Sequence, residues 1–127
     1  MRLAISLSVL AAALAAPAAS ALSASEMSGA WSLATDSRSG ALFACASPLR
    51  LAAEGDGLRL TAPGWTETFT WTDTGETSGL LLPVSRNSSG YRITRRADGG
   101  YVWQETDAIG ELRPNIDALV ARRCTTG

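Results

Sequence analysis

The chain has 127 residues, of which eleven are basic and twelve acidic, and it contains no histidine and no lysine. These absences exclude Ser-His-Asp and Cys-His nucleophile systems, Schiff-base lysines and histidine-based zinc sites, and the charge balance lacks the basic surplus of a nucleic-acid-binding protein. We therefore expect a protein that is not an enzyme, with no catalytic residues, no metal site, no cofactor and no nucleic-acid partner.

Residues 1–21 have the pattern of a secretory signal peptide. A basic start at Arg2 precedes a short apolar stretch, and the segment ends in the small residues Ala19-Ser20-Ala21. A membrane span, the alternative, needs roughly 20 strongly apolar residues, whereas this segment is shorter, rich in alanine and interrupted by Pro17. Cleavage after Ala21 leaves a single domain, residues 22–127, in the periplasm or the medium. That domain has ten arginines and twelve carboxylates, a net charge of −2, and we expect it to be a monomer.

Short segments of alternating apolar and polar residues, separated by Gly, Asp, Asn and Pro, make up most of the mature chain. They follow one possible helical turn at Ser25, which would act as its cap. The segments that predict strands are residues 30–35, 49–53, 58–61, 65–72, 80–84, 91–96 and 101–105. The surest hairpin has Asp98-Gly99-Gly100 at its tip, because such residues accept positive φ.

The last apolar segment, Ile116–Cys124, fits both a strand and a short helix. We predict a strand. Seven or eight short strands joined by tight turns then indicate an all-β fold, an up-and-down antiparallel barrel, with a compact sandwich as the alternative.

The two cysteines, Cys45 and Cys124, are 79 positions apart. An even number of cysteines in a small exported domain predicts a disulfide rather than two free thiols.

Aromatic residues lie on the inward faces of two predicted strands. Trp65, Phe69 and Trp71 share one face of the strand predicted at residues 65–72. Trp103 lies on the strand predicted at residues 101–105. They either fill the barrel core or line a pocket for an apolar ligand. Glu67 and Glu105 share these faces, where two carboxylates are a candidate acid–base pair, although an ion pair with Arg92 or Arg95 is the simpler interpretation.

The first strand carries Gly29-Ala30-Trp31, and a Gly-x-Trp at this place resembles the start of lipocalin-like barrels. In that superfamily a late arginine packs over the tryptophan. The resemblance implies that Trp31 is structural and that Arg122 or Arg123 covers it.

The longer segment Ala24–Leu33, with Cys45 and the Asp98-Gly99-Gly100 hairpin, resembles the bacterial metalloprotease inhibitors of the Inh type. Those are periplasmic eight-stranded barrels with one disulfide. The resemblance implies that this chain inhibits a secreted zinc metalloprotease of the serralysin type. The segment that would enter the protease cleft is Leu22, Ser23, Ala24, Ser25 and Glu26. The alternatives are a lipocalin-like binder of a small apolar ligand at Trp65, Phe69, Trp71 and Trp103, and an envelope interaction domain without a ligand.

Overall fold

Eight antiparallel strands close into a barrel in the computed structural model, which describes residues 21–35 and 42–125. Each strand pairs with its neighbours in the chain, so the predicted up-and-down barrel is confirmed. Of the predicted signal peptide, all but Ala21 lies outside the described residues. The strands are β1 (Gly29–Thr35), β2 (Leu49–Glu54), β3 (Gly57–Ala62), β4 (Trp65–Asp73), β5 (Ser78–Pro83), β6 (Gly90–Arg95), β7 (Tyr101–Thr106) and β8 (Leu119–Arg123).

The last strand closes the barrel. β8 pairs with β1 from Trp31 opposite Arg123 to Thr35 opposite Leu119, and it pairs with β7 on its other side. Ile116–Cys124 therefore contributes a strand, as predicted, and the helix and sandwich alternatives are wrong. Closure gives every strand two hydrogen-bonded neighbours, which removes exposed sheet edges.

The inward-facing side chains fill the middle of the barrel. The three largest that are fully buried are Trp31, Phe69 and Trp103, and Phe69 lies directly opposite Leu58 of β3. An eight-stranded barrel has an interior just wide enough for such packing. At Gly79 a side chain would not fit, since a Cβ there would lie 2.1 Å from the ring of Trp71.

The predicted disulfide between Cys45 and Cys124 is present, with 5.6 Å between the two Cα atoms. Cys124 follows β8, and its N–H donates to the carbonyl of Ala30 in β1 at 2.8 Å. Cys45 precedes β2. The bridge thus joins the chain segments that pair with β1 on its two sides.

Replacement of both cysteines, Cys45→Ala with Cys124→Ala, should lower the free energy of unfolding by about 4 kcal/mol, because the bridge closes a loop of 79 residues in the unfolded chain. The far-ultraviolet circular dichroism of the folded state should not change. Urea denaturation of both proteins measures the difference. A loss below about 1 kcal/mol would contradict a dominant effect on the unfolded chain.

Candidate functional site

One end of the barrel is closed by the segment Leu22–Ser28, which we call the N-terminal cap. It forms a single turn, in which the N–H of Met27 donates to the carbonyl of Ala24 at 3.0 Å. The side chain that caps this turn is Ser23 rather than the expected Ser25, because its Oγ accepts from the N–H of Glu26 at 3.2 Å. Ser23 and Ser25 are both suitable capping residues, and the sequence alone does not show which of them caps the turn.

The cap belongs to the hydrophobic core. The side chains of Leu22 and Met27 are fully buried. The N–H of Leu22 also donates to the carbonyl of Glu76, in the turn after β4, at 3.1 Å. Two buried apolar side chains within seven residues hold the segment against the barrel.

Trp31 and Arg123 connect the cap to β1 and β8. The indole Nε1–H of Trp31 donates to the carbonyl of Met27 at 2.9 Å. The guanidinium carbon of Arg123 lies 4.4 Å from the centroid of the Trp31 ring, a cation–π distance. Its two terminal nitrogens donate to the carbonyls of Ser28 at 2.7 Å and Glu26 at 2.6 Å. One arginine therefore covers the tryptophan and satisfies two carbonyls of the turn.

Of the two arginines predicted to cover Trp31, the one in contact is Arg123, because it lies directly opposite Trp31 in the β1–β8 register and so shares its face. Arg122 has the opposite orientation and pairs with Asp98 at 3.1 Å.

Glu26 is the charged anchor of the cap. Its carboxylate accepts from Nε of Arg95 at 3.0 Å and from the hydroxyl of Tyr101 at 2.7 Å. Hydrogen bonding to the Arg95 guanidinium lowers the pKa of Glu26 from its usual 4.5, although partial burial acts in the opposite direction. Arg95 was expected to pair with Glu67 or Glu105, but its side chain binds Glu26 of the cap instead.

The structure brings together the residues predicted to enter a protease cleft but does not expose them equally. The side chain of Leu22 is in the core, and that of Glu26 is bound to Arg95 and Tyr101. Ser25 is exposed, while Ser23 and Ala24 are partly exposed. The accessible part of the segment is thus its middle.

The four aromatic residues of the alternative pocket do not line one cavity. Phe69 and Trp103 are buried in the core. Trp65 and Trp71 are half-buried, and six residues of extended chain place them roughly 20 Å apart along β4.

A pocket of about 390 Å³ instead lies at the end of the barrel opposite the cap, which we call the open end. The residues in its wall include Trp103, Phe43, Tyr91 and Glu105. Sequence reasoning missed Tyr91 and Phe43 as pocket residues. Tyr91 lies two residues before the buried Ile93 on β6 and therefore on the same inward face, which is a usable signal. Phe43 pairs with Leu33 in an isolated bridge, a contact that no local pattern indicates.

The two inward carboxylates at the open end interact with serines. Glu67 accepts hydrogen bonds from Ser85 at 2.9 Å and Ser88 at 3.0 Å, and Glu105 accepts one from Ser89 at 2.8 Å. Burial of Tyr91 raises the pKa of its phenol to about 12, with further contributions from the charges of Glu105 and Glu67. Both carboxylates therefore act on the same phenol.

Comparison with protein-family models, curated proteins and solved structures finds no match to this chain. Within residues 21–35 and 42–125 there is no cluster of three or more Cys, Asp or Glu side chains suited to a metal ion. The same part of the chain has no helix that is long and apolar enough to cross a membrane.

Replacement of Arg123 should destabilise the protein much more than replacement of its neighbour Arg122. Arg123→Gln removes two hydrogen bonds from a charged donor and the contact with Trp31, and because Arg123 is itself exposed we expect a loss of about 1–2 kcal/mol in the free energy of unfolding. Arg122→Gln removes an exposed ion pair and should cost less than about 0.5 kcal/mol. Equal losses in urea denaturation would contradict the assigned role of Arg123.

Protonation of Glu26 should loosen the cap in acid. Because the pKa of Glu26 is lower in the folded than in the unfolded chain, its contribution to stability is fully present above pH 4.5 and is lost as the pH falls through the folded-state value. The difference in unfolding free energy between the wild type and Glu26→Gln should therefore shrink as the pH falls below 4.5. Denaturation at a series of pH values measures it, and a constant difference would contradict this prediction.

Proposed function

We propose that the mature chain is an exported, non-enzymatic binding protein that inhibits a secreted zinc metalloprotease, in the manner of the Inh-type inhibitors that its N-terminal segment resembles. The observation that carries the proposal is the attachment of the N-terminal cap. Side chains from three strands, Arg95 of β6, Tyr101 of β7 and Arg123 of β8, hold this segment on the barrel end.

A fixed segment suits inhibition by occupation of a cleft. Ordering a residue's backbone costs roughly 1–2 kcal/mol, and in the cap this cost is met when the barrel folds. Binding to a partner then requires little further ordering, which raises affinity without additional contacts. The disulfide and the closed sheet make the barrel a rigid support for the cap.

The exposure of the cap residues refines how the segment would act. Leu22 and Glu26 serve as anchors on the barrel, since both side chains are bound there. Ser25 is exposed, and Ser23 and Ala24 are partly so. The protease cleft would therefore receive the turn as a folded unit, with Ser23, Ala24 and Ser25 in contact.

The packed interior favours a protein partner over a small apolar ligand in the centre of the barrel. Trp31, Phe69 and Trp103 are almost completely buried in its interior, so an apolar ligand among Trp65, Phe69, Trp71 and Trp103 would have to displace core side chains. Such displacement costs several kcal/mol.

The test is inhibition of a serralysin-type zinc protease by residues 22–127 with the disulfide intact. Wild-type protein should inhibit cleavage of a peptide substrate in a 1:1 complex. Ser25→Trp, which places a bulky side chain on the exposed face of the turn, should raise the inhibition constant at least tenfold. The matched control is Thr66→Trp, an exposed position at the start of β4, which should leave the constant unchanged.

Two outcomes would overturn the proposal. One is the absence of inhibition by correctly folded wild-type protein. The other is equal inhibition by Ser25→Trp and Thr66→Trp, which would place the contact away from the cap.

A further inference from the structure

The pocket at the open end of the barrel has the size of a small-molecule site. Its volume of about 390 Å³ is at the lower end of the range for ligand pockets, roughly 300–1,000 Å³. It lies where β1 ends and β8 begins, with Thr35 and Leu119 in its wall. The mouth of a β-barrel is a common place for such sites.

Aromatic rings form one side of this pocket. Tyr91 and Trp103 pack with 5.4 Å between their ring centroids, and Phe43, which packs against the core, adds a third ring. Trp103 is held in the core with an exposed fraction of 1%. Fixed aromatic rings attract cations through the negative potential of their faces.

Carboxylates supply negative charge beside these rings. Glu105 lines the pocket, and its nearest cation among the described residues, Arg113, is 3.8 Å away and about half-exposed. That distance is well beyond the 2.7–2.9 Å of a charge-assisted hydrogen bond, so the charge of Glu105 is incompletely neutralised. Glu67, near the same phenol, accepts its hydrogen bonds from neutral serine hydroxyls.

The effect of these charges is visible at Tyr91. Burial is the main cause that raises the pKa of its phenol, and the charges of Glu105 and Glu67 raise it further. An anionic ligand would be repelled there, and a neutral apolar ligand would desolvate Glu105 without compensation.

We propose that the open end binds a small organic cation, an ammonium group that carries a short apolar body. The ammonium lies beside Glu105 and the partly exposed rings of Tyr91 and Phe43, and the buried Trp103 supports the ring of Tyr91 from behind. This site is at the opposite end of the barrel from the cap, and it does not depend on protease inhibition.

The test compares choline with its neutral isostere, 3,3-dimethyl-1-butanol, by titration calorimetry and tryptophan fluorescence on residues 22–127. Choline should bind at least about tenfold more tightly, because only the cation gains from the carboxylate and the rings. Glu105→Gln, which keeps the shape of the side chain, should weaken choline binding about two- to fivefold. Glu67→Gln, a second variant farther from the cation, should weaken it less.

The matched control for loss of one negative charge is Glu54→Gln, an exposed position at the other end of the barrel that pairs with Arg59. It should leave choline binding unchanged. Equal affinity for choline and its isostere, equal effects of Glu105→Gln and Glu54→Gln, or no saturable binding of choline to the folded protein would each overturn the proposal.

Discussion

The contact between Arg123 and Trp31 is the interaction on which the closed end of this barrel depends. Arg123 belongs to the last strand, Trp31 to the first, and the carbonyls of Glu26 and Ser28, which accept from Arg123, to the segment before the first strand. The same guanidinium therefore joins strand closure to the position of the cap. Arg123 therefore acts together with the β1–β8 pairing, which closes the barrel, and with Arg95 and Tyr101, which also hold the cap.

The two ends of the barrel have different electrostatics, and this difference underlies the two proposed binding roles. At the cap, the carboxylate of Glu26 is matched by Arg95 and by the hydroxyl of Tyr101. At the open end, Glu67 and Glu105 are held mainly by serines. Paired charge fixes a segment in place, whereas incompletely neutralised charge beside aromatic rings is available to a cationic ligand.

Local patterns were sufficient to predict the strands, the Asp98-Gly99 hairpin and the barrel class, because alternation and turn chemistry act over a few residues. The choice between Arg122 and Arg123 was not available from the sequence, since it depends on the register between β1 and β8, which are about 90 residues apart. The pairing of Glu26 with Arg95 could not be predicted either, because the two residues are distant in the chain and meet only in the folded barrel. The pocket residues Phe43 and Tyr91 come together only when the barrel closes.

The N-terminal cap is a fixed part of the barrel. Hydrogen exchange of the indole N–H groups, followed by nuclear magnetic resonance, tests it most directly. The indole of Trp31 donates to Met27 in the cap, whereas that of Trp71 donates to the exposed Asp73 and provides an internal reference. The Trp31 indole should exchange only through global unfolding, far more slowly than that of Trp71. Exchange of the two indoles at similar rates would contradict it.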